Sequence, residues 1–153
     1  MPDYEHIQLQ LERHEGWRDR PYWDGTGRPM ILSGPDGHAS ACYGRNLNVP
    51  FSLEEGRLLL RNDIQRAENL LDAHAPWWRS LSVPRQNVLL NMTFNLGYGN
   101  GRTGLSGFRN MLAASRAGRH HEVPGHMQAS RWFGQVGNRA IELIEQYRKD
   151  RLA

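Results

Sequence analysis

The stretch Arg13–Gly27, R-H-E-G-W-R-D-R-P-Y-W-D-G-T-G, decides how this chain is read, together with Y-G-R-N-L at 43–47. Ahead of it Tyr4, Ile7 and Leu11 recur at helical spacing, and Glu15 follows four positions after Leu11. Gly16 is a natural helix stop, because glycine takes the left-handed conformation that closes a helix. The spacing predicts a helix over 3–15 with Glu15 on the inward stripe of its last turn. Partial burial and the negative end of the helix dipole both disfavour a carboxylate there, which is what a general acid needs near neutral pH. An exposed helix-end glutamate is the plainer alternative, and the stretch alone leaves both open.

Beyond Trp17 the character changes. Asp24-Gly25, Thr26-Gly27, Ser33-Gly34 and Pro35-Asp36-Gly37 are turn signals between short apolar scraps. They predict a small antiparallel hairpin lobe over about 17–47. Asp24 is a second carboxylate nine positions after Glu15, although an Asp before Gly is more often only a turn former. Ser52-Leu-Glu-Glu55 is a capping box opening a linking helix over about 52–74, with Leu53, Leu60, Ile64, Ala67 and Leu71 on its apolar face. A helix of about 20 residues spans some 30 Å, long enough to bridge two lobes. Pro84 starts the next, which carries Val88, Leu89, Met92 and Phe94 and closes at Asn95-Leu-Gly97. Helices then follow near 108–117, 120–128 with a break at Pro124-Gly125, and 137–151. Trp132, Phe133, Ile141, Ile144 and Tyr147 are the candidate C-terminal core. The fold class is α+β: a small antiparallel β-hairpin lobe and a larger helical lobe over about 76–153, joined by the long helix in one domain spanning 1–153.

Composition narrows the function classes. At 39% hydrophobic residues the chain can bury a core, so disorder is not the default. No apolar run approaches the roughly 20 residues of a membrane span. M-P-D-Y-E-H at the start has neither the basic nor the apolar region of a signal peptide. Cys42 is the sole cysteine, which excludes an internal disulfide and a zinc framework. The net charge of +3 suits an anionic partner, but arginine is scattered through every segment instead of forming the basic stripe of a nucleic-acid module. His120-His121-Glu122-Val-Pro-Gly-His126 has one residue too many for H-E-x-x-H, and Pro124-Gly125 interrupts the helix it would need. Neither metal nor cofactor is expected, and no G-x-S-x-G nucleophile motif is present.

Seven ordered motifs then converge, two at the head and five along the body. H-E-G-W-R-x-x-P-Y-x-D-x-x-G at 14–27 and Y-G-R-N-L at 43–47 resemble the active-site head of phage-type lysozymes, the T4-like endolysins. L-L-R-N-D-I at 59–64, P-W-W at 76–78, N-M-T-F-N-L-G at 91–97, G-F-R at 107–109 and S-R-W-F-G-Q-V-G-N-R-A at 130–140 extend the resemblance along the body. It implies a lysozyme-like fold and a bacteriolytic muramidase. The substrate would be peptidoglycan, hydrolysed with inversion at the β-1,4 bond from N-acetylmuramic acid to N-acetylglucosamine. Glu15 would protonate the leaving oxygen while Asp24 holds a water on the opposite face, a geometry needing the carboxyls roughly 6.5–9.5 Å apart. Arg139 matches the arginine that reaches back to the catalytic glutamate, and Phe94 and Asn95 match positions near the cleft floor. The resemblance further implies a monomer made in the host cytoplasm without a signal peptide, reaching the wall through a holin-type lesion, with no nucleic-acid partner and no membrane span.

One departure stands out. The family runs D-x-x-G-x-x-T-I-G-Y-G, its threonine positioning the water. Counted forward from Asp24 that threonine falls on Met30; counted back from Tyr43-Gly44 it falls on Ser40, about ten residues later. An insertion of that size is expected near Ser33–His38, with Ser40 taking the threonine role because its hydroxyl can hold a water and Met30 cannot. Thr26 and Asp36 are the spare candidates. A wall-binding protein without turnover and a lytic transglycosylase are the competing readings.

Overall fold

Asp3 opens the first helix by accepting a hydrogen bond from the His6 N–H at 2.9 Å, an N-cap that satisfies one of the orphan donors. In the computed structural model, which describes residues 1–23 and 25–153, this helix is α1 (Tyr4–Glu15). Gly16 ends it at φ +71°, its N–H bonded to the Glu12 carbonyl at 3.1 Å. Ile7 and Leu11 are fully buried, whereas Tyr4 is exposed and turns its hydroxyl to Glu68.

Short antiparallel ladders follow. A bridge joins Tyr22 to Pro29; β1 (Ser33–Gly34) pairs with β2 (Gly37–His38), and β3 (Ser40–Ala41) pairs with β4 (Arg45–Asn46). The β1–β2 hairpin turns at Pro35-Asp36, proline pre-setting the first turn dihedral. Among the described residues between Glu12 and Asp63 none is buried, so this lobe has no core of its own. Polar ties hold it instead. The Asn48 side chain donates to the Leu32 carbonyl and to Ser33 Oγ at 3.2 and 2.9 Å and accepts from the Leu32 N–H at 3.3 Å. Arg45 pairs with Glu55 at 2.8 Å and so fastens the lobe to the following helix.

That helix is α2 (Leu53–His74), and its capping box is complete: Glu55 N–H to Ser52 Oγ at 3.1 Å, Ser52 N–H to Glu55 Oε2 at 2.7 Å. Ile64, Ala67 and Leu71 enter the core, while Leu53, at the start, stays exposed. A 3₁₀ turn, Pro76–Ser80, buries Trp78, whose indole donates to Asp72 at 2.7 Å. Next comes α3 (Val83–Leu96), the helix most completely surrounded: Val88, Leu89, Leu90 and Met92 have no solvent contact. A second 3₁₀ turn, Leu105–Gly107, leads to α4 (Arg109–Arg116), α5 (Val123–Gln128), α6 (Arg131–Val136) and α7 (Asn138–Lys149). A single hydrophobic core runs from Ile7 through α2 and α3 to Tyr147.

Three local expectations are corrected. Pro124 does not break a helix; it sits in the first turn of α5, where its missing N–H costs nothing. The expected 137–151 helix is preceded by a separate α6, and Gly137 at φ +54° makes the corner between them. Ile141 is exposed, because the inward stripe of α7 runs through Ala140, Leu143, Ile144 and Tyr147 and leaves it on the outer side.

Candidate active site

Three helix segments meet at Glu15. Leu11 is the last residue of α1 to reach the core, and Glu15, one turn later, stands where the chain leaves for the hairpins. Its side chain is 43% exposed, so of the two readings left open the exposed helix-end glutamate is the one found. Arg139, the second residue of α7, reaches it with Nη2 and is itself only 9% exposed. A cation in the first turn of a helix is opposed by the dipole, and the Glu15 carboxylate offsets that. The pair thus orients Glu15 and neutralises Arg139 at once.

The second wall comes from α2. Arg57 grips Glu12 with two parallel bonds, Nε to Oε1 at 2.9 Å and Nη2 to Oε2 at 3.2 Å, the fork-on-carboxylate geometry that fixes direction as well as distance. The Arg57 bonds, and after them one from Gln8, hold the Glu12 carboxyl below the usual carboxylate range. Gly56 lies beside Arg57 and carries the Trp17 indole. A Cβ there would stand 2.3 Å from Trp17 Cζ3, so the ring rests on bare backbone. Glu12, Glu15, Trp17, Tyr22, Arg57 and Phe94 line one cleft of about 410 Å³.

A third layer lies behind Glu15. Glu142 of α7 accepts from Gln10 and Arg13, both at 2.9 Å, and pairs with His14 at 3.1 Å. Burial pushes its carboxyl up, but the bonds from Gln10 and His14, the His14 charge and the Arg13 bond outweigh that and leave it below the ordinary value.

Of the residues named from the sequence, Glu15, Arg139 and Phe94 come together. Asn95 is exposed at the C-terminal end of α3 and does not line the cleft. Ser40 is exposed on β3, opposite Asn46, and is likewise outside the lining. Met30 is half-buried with its N–H on the Pro21 carbonyl at 3.0 Å, and Thr26 and Asp36 are exposed in their turns. Asp24 lies outside the described residues. The β3–β4 corner bears on the register: Cys42 has φ +52° and Gly44 φ +80°. Counting back from Tyr43-Gly44 puts Cys42 at the first glycine of T-I-G-Y-G, and its positive φ is one that glycine adopts without strain.

Sequence reasoning missed Trp17 and Tyr22 as cleft walls, and it missed Arg57 and Glu142 as partners. Trp17 carried a local signal, since it directly follows Gly16. The other contacts join residues 45 and 128 positions apart, Arg57 to Glu12 and Glu142 to His14, and no periodicity reports them. Among the described residues no group of three His, Cys, Asp or Glu side chains could hold a metal ion, and no described helix is long and apolar enough to cross a membrane.

Comparison with known proteins identifies the family. A family model described as phage lysozyme matches residues 12–150. The chain is also similar to the pre-baseplate central spike protein Gp5 of Enterobacteria phage T4, at 28% identity over 149 residues. That match covers 85% of this chain and 25% of the spike protein, so the chain spans about a quarter of that relative's length.

Proposed function

Because the chain belongs to the phage lysozyme family, we propose that it is a muramidase that hydrolyses the β-1,4 bond between N-acetylmuramic acid and N-acetylglucosamine in bacterial peptidoglycan. The observation that carries the reading is Glu15: a carboxyl at a helix end, held by a nearly covered Arg139, at the edge of a cleft walled by Trp17 and Tyr22. Aromatic faces suit the C–H faces of sugar rings, and a few oriented polar groups among apolar walls are what a ligand cleft needs. Glu15 delivers a proton to the leaving glycosidic oxygen. Asp24 holds and activates a water on the opposite face, in line with the family pattern, and the outcome is inversion. Wall digestion of this kind lyses the cell.

By the family pattern Ser40 supplies the hydroxyl that steadies this water, although it stands outside the cleft that Glu15 lines. The left-handed Cys42 supports the register that places it there, since the turn of T-I-G-Y-G then spans Ser40–Gly44. Replacing Ser40 by alanine lowers kcat on the order of 10²-fold under this assignment, and Ser40→Thr retains most of it. Full activity in Ser40→Ala removes Ser40 from the mechanism. For the reaction class, purified sacculi are digested and the released muropeptides weighed. Reducing ends support hydrolysis, whereas anhydro ends, lighter by one water, make the protein a transglycosylase. Similarity to a central spike protein favours carriage to the wall on a phage particle over release through a holin-type lesion; immunoblotting of purified particles separates the two.

A further inference from the structure

Glu15 stands at the open end of α1, where Arg139 holds its carboxyl from α7 and Arg57 holds Glu12, about one turn earlier, from α2. A further tie lies one layer deeper. His14, the residue before Glu15, is only 8% exposed. Its Nε2 pairs with Glu142 Oε2 at 3.1 Å, and its Nδ1 faces Asn91 Nδ2 of α3 at 3.5 Å. Glu142 follows Arg139 by three residues, close to one turn of α7, so His14–Glu142 and Glu15–Arg139 form two adjacent rungs between α1 and α7. Gln10, fully buried, ties the inner rung in place: its Nε2 donates to Glu142 Oε1 at 2.9 Å and to Gln146 Oε1 at 3.0 Å, while its Oε1 accepts from Asn91 at 3.0 Å. Arg13 completes the Glu142 carboxylate at 2.9 Å.

We propose that His14 and Glu142 are positioning residues for Glu15, holding the angle at which its carboxyl enters the cleft. This rests on the muramidase reading. Apolar side chains at these sites would hold α1 against α7 equally well but would leave its rotation soft, because the hydrophobic effect is non-directional. Directional bonds from three helices, α1, α3 and α7, converge on one imidazole and one carboxylate, and that fixes the turn. The charged groups around His14 are Glu142 from α7 and Arg13 and Glu15 on its own helix, and α3 presents the neutral Asn91. Displacing a catalytic group by about 1 Å can cost about 10²-fold in rate, so a small rotation here is visible in kcat.

The test compares wild type, His14→Leu, His14→Gln and Glu142→Gln for reducing-end release from purified sacculi, with thermal melts of each. His14→Leu fills the volume and removes every polar bond, and its kcat falls about tenfold or more with KM within about twofold, the signature of an interaction realised in the transition state. His14→Gln returns a donor and an acceptor and recovers most of kcat, a rescue that mere packing does not produce. Should His14→Leu fail to fold, Glu142→Gln, matched in size and still an acceptor for Gln10, carries the comparison with the same expected loss. Folded variants with full kcat, or a loss in kcat that His14→Gln does not recover, overturn the proposal while leaving the muramidase standing. A wild type that releases no reducing ends overturns the muramidase reading and the proposal with it.

Discussion

Gly56 is the position where stability and function should part company. In an exposed helix, replacing glycine by alanine gains roughly 0.5–1 kcal/mol, because glycine loses more backbone freedom on folding. Here the new Cβ would lie 2.3 Å from Trp17 Cζ3 and 3.0 Å from Cη2. Carbon atoms pack at about 3.5–4.0 Å, so the indole must retreat by about 1.2 Å or more or leave the helix. Trp17 is 48% exposed, so the covered half of an aromatic side chain amounts to roughly 100 Å². At about 25 cal/mol per Å² its complete loss costs at most ~2.5 kcal/mol. The gain offsets part of that loss, and with some of the contact kept Gly56→Ala is about 1 kcal/mol less stable and its Tm about 2–4 °C lower. Activity falls more, about tenfold, because the displaced ring lines the cleft beside Glu15. In a Trp17→Ala background the clash is gone, and the same substitution becomes stabilising by roughly 0.5–1 kcal/mol. Thermal melts and reducing-end assays on the four proteins of this cycle check it. A Gly56→Ala that raises Tm equally in both backgrounds, with activity intact, refutes the packing of Trp17 on Gly56.

Two further outcomes are expected. Cys42 holds a left-handed backbone that costs a side-chain-bearing residue roughly 1–2 kcal/mol. Set against the entropy cost of glycine, Cys42→Gly therefore stabilises by about 0.5–1 kcal/mol in denaturant titration, and a lower midpoint counts against the conformation assigned to that corner. Acid should weaken the fold through carboxyls held below their ordinary values. Glu142 and Glu12 titrate from about 4.5 in the unfolded chain and lower when folded. Their contribution is full above that value and is lost as pH falls through the folded one. Glu142→Gln accordingly flattens the decline of Tm below pH 4.5, and a decline as steep as that of wild type argues against the Glu142 network.

Much of the architecture was legible because its signals are local. Ser52 and Glu55 announced α2, Gly16 announced the end of α1, and the spacing of Ile64, Ala67 and Leu71 named the buried face. Pro124 misled because a proline that starts a helix and one that breaks it are the same residue, distinguished only by what precedes it. Gly137 was passed over as an ordinary helix start, although its φ of +54° turns the chain between α6 and α7. At the site, Glu15 and Arg139 were readable from their motifs. The degree to which Glu15 is covered was not, since it depends on where the hairpin lobe departs. Cys42 hid its corner: cysteine carries no preference for the left-handed region, so nothing in the sequence announced its positive φ.

The most direct measurement is clearing of permeabilised Gram-negative cells by wild type beside Glu15→Gln, with folding of both verified by circular dichroism. The account predicts clearing by wild type and none by the variant. Glu15→Gln that clears cells as fast as wild type contradicts it, and the acid must then be sought elsewhere in the cleft.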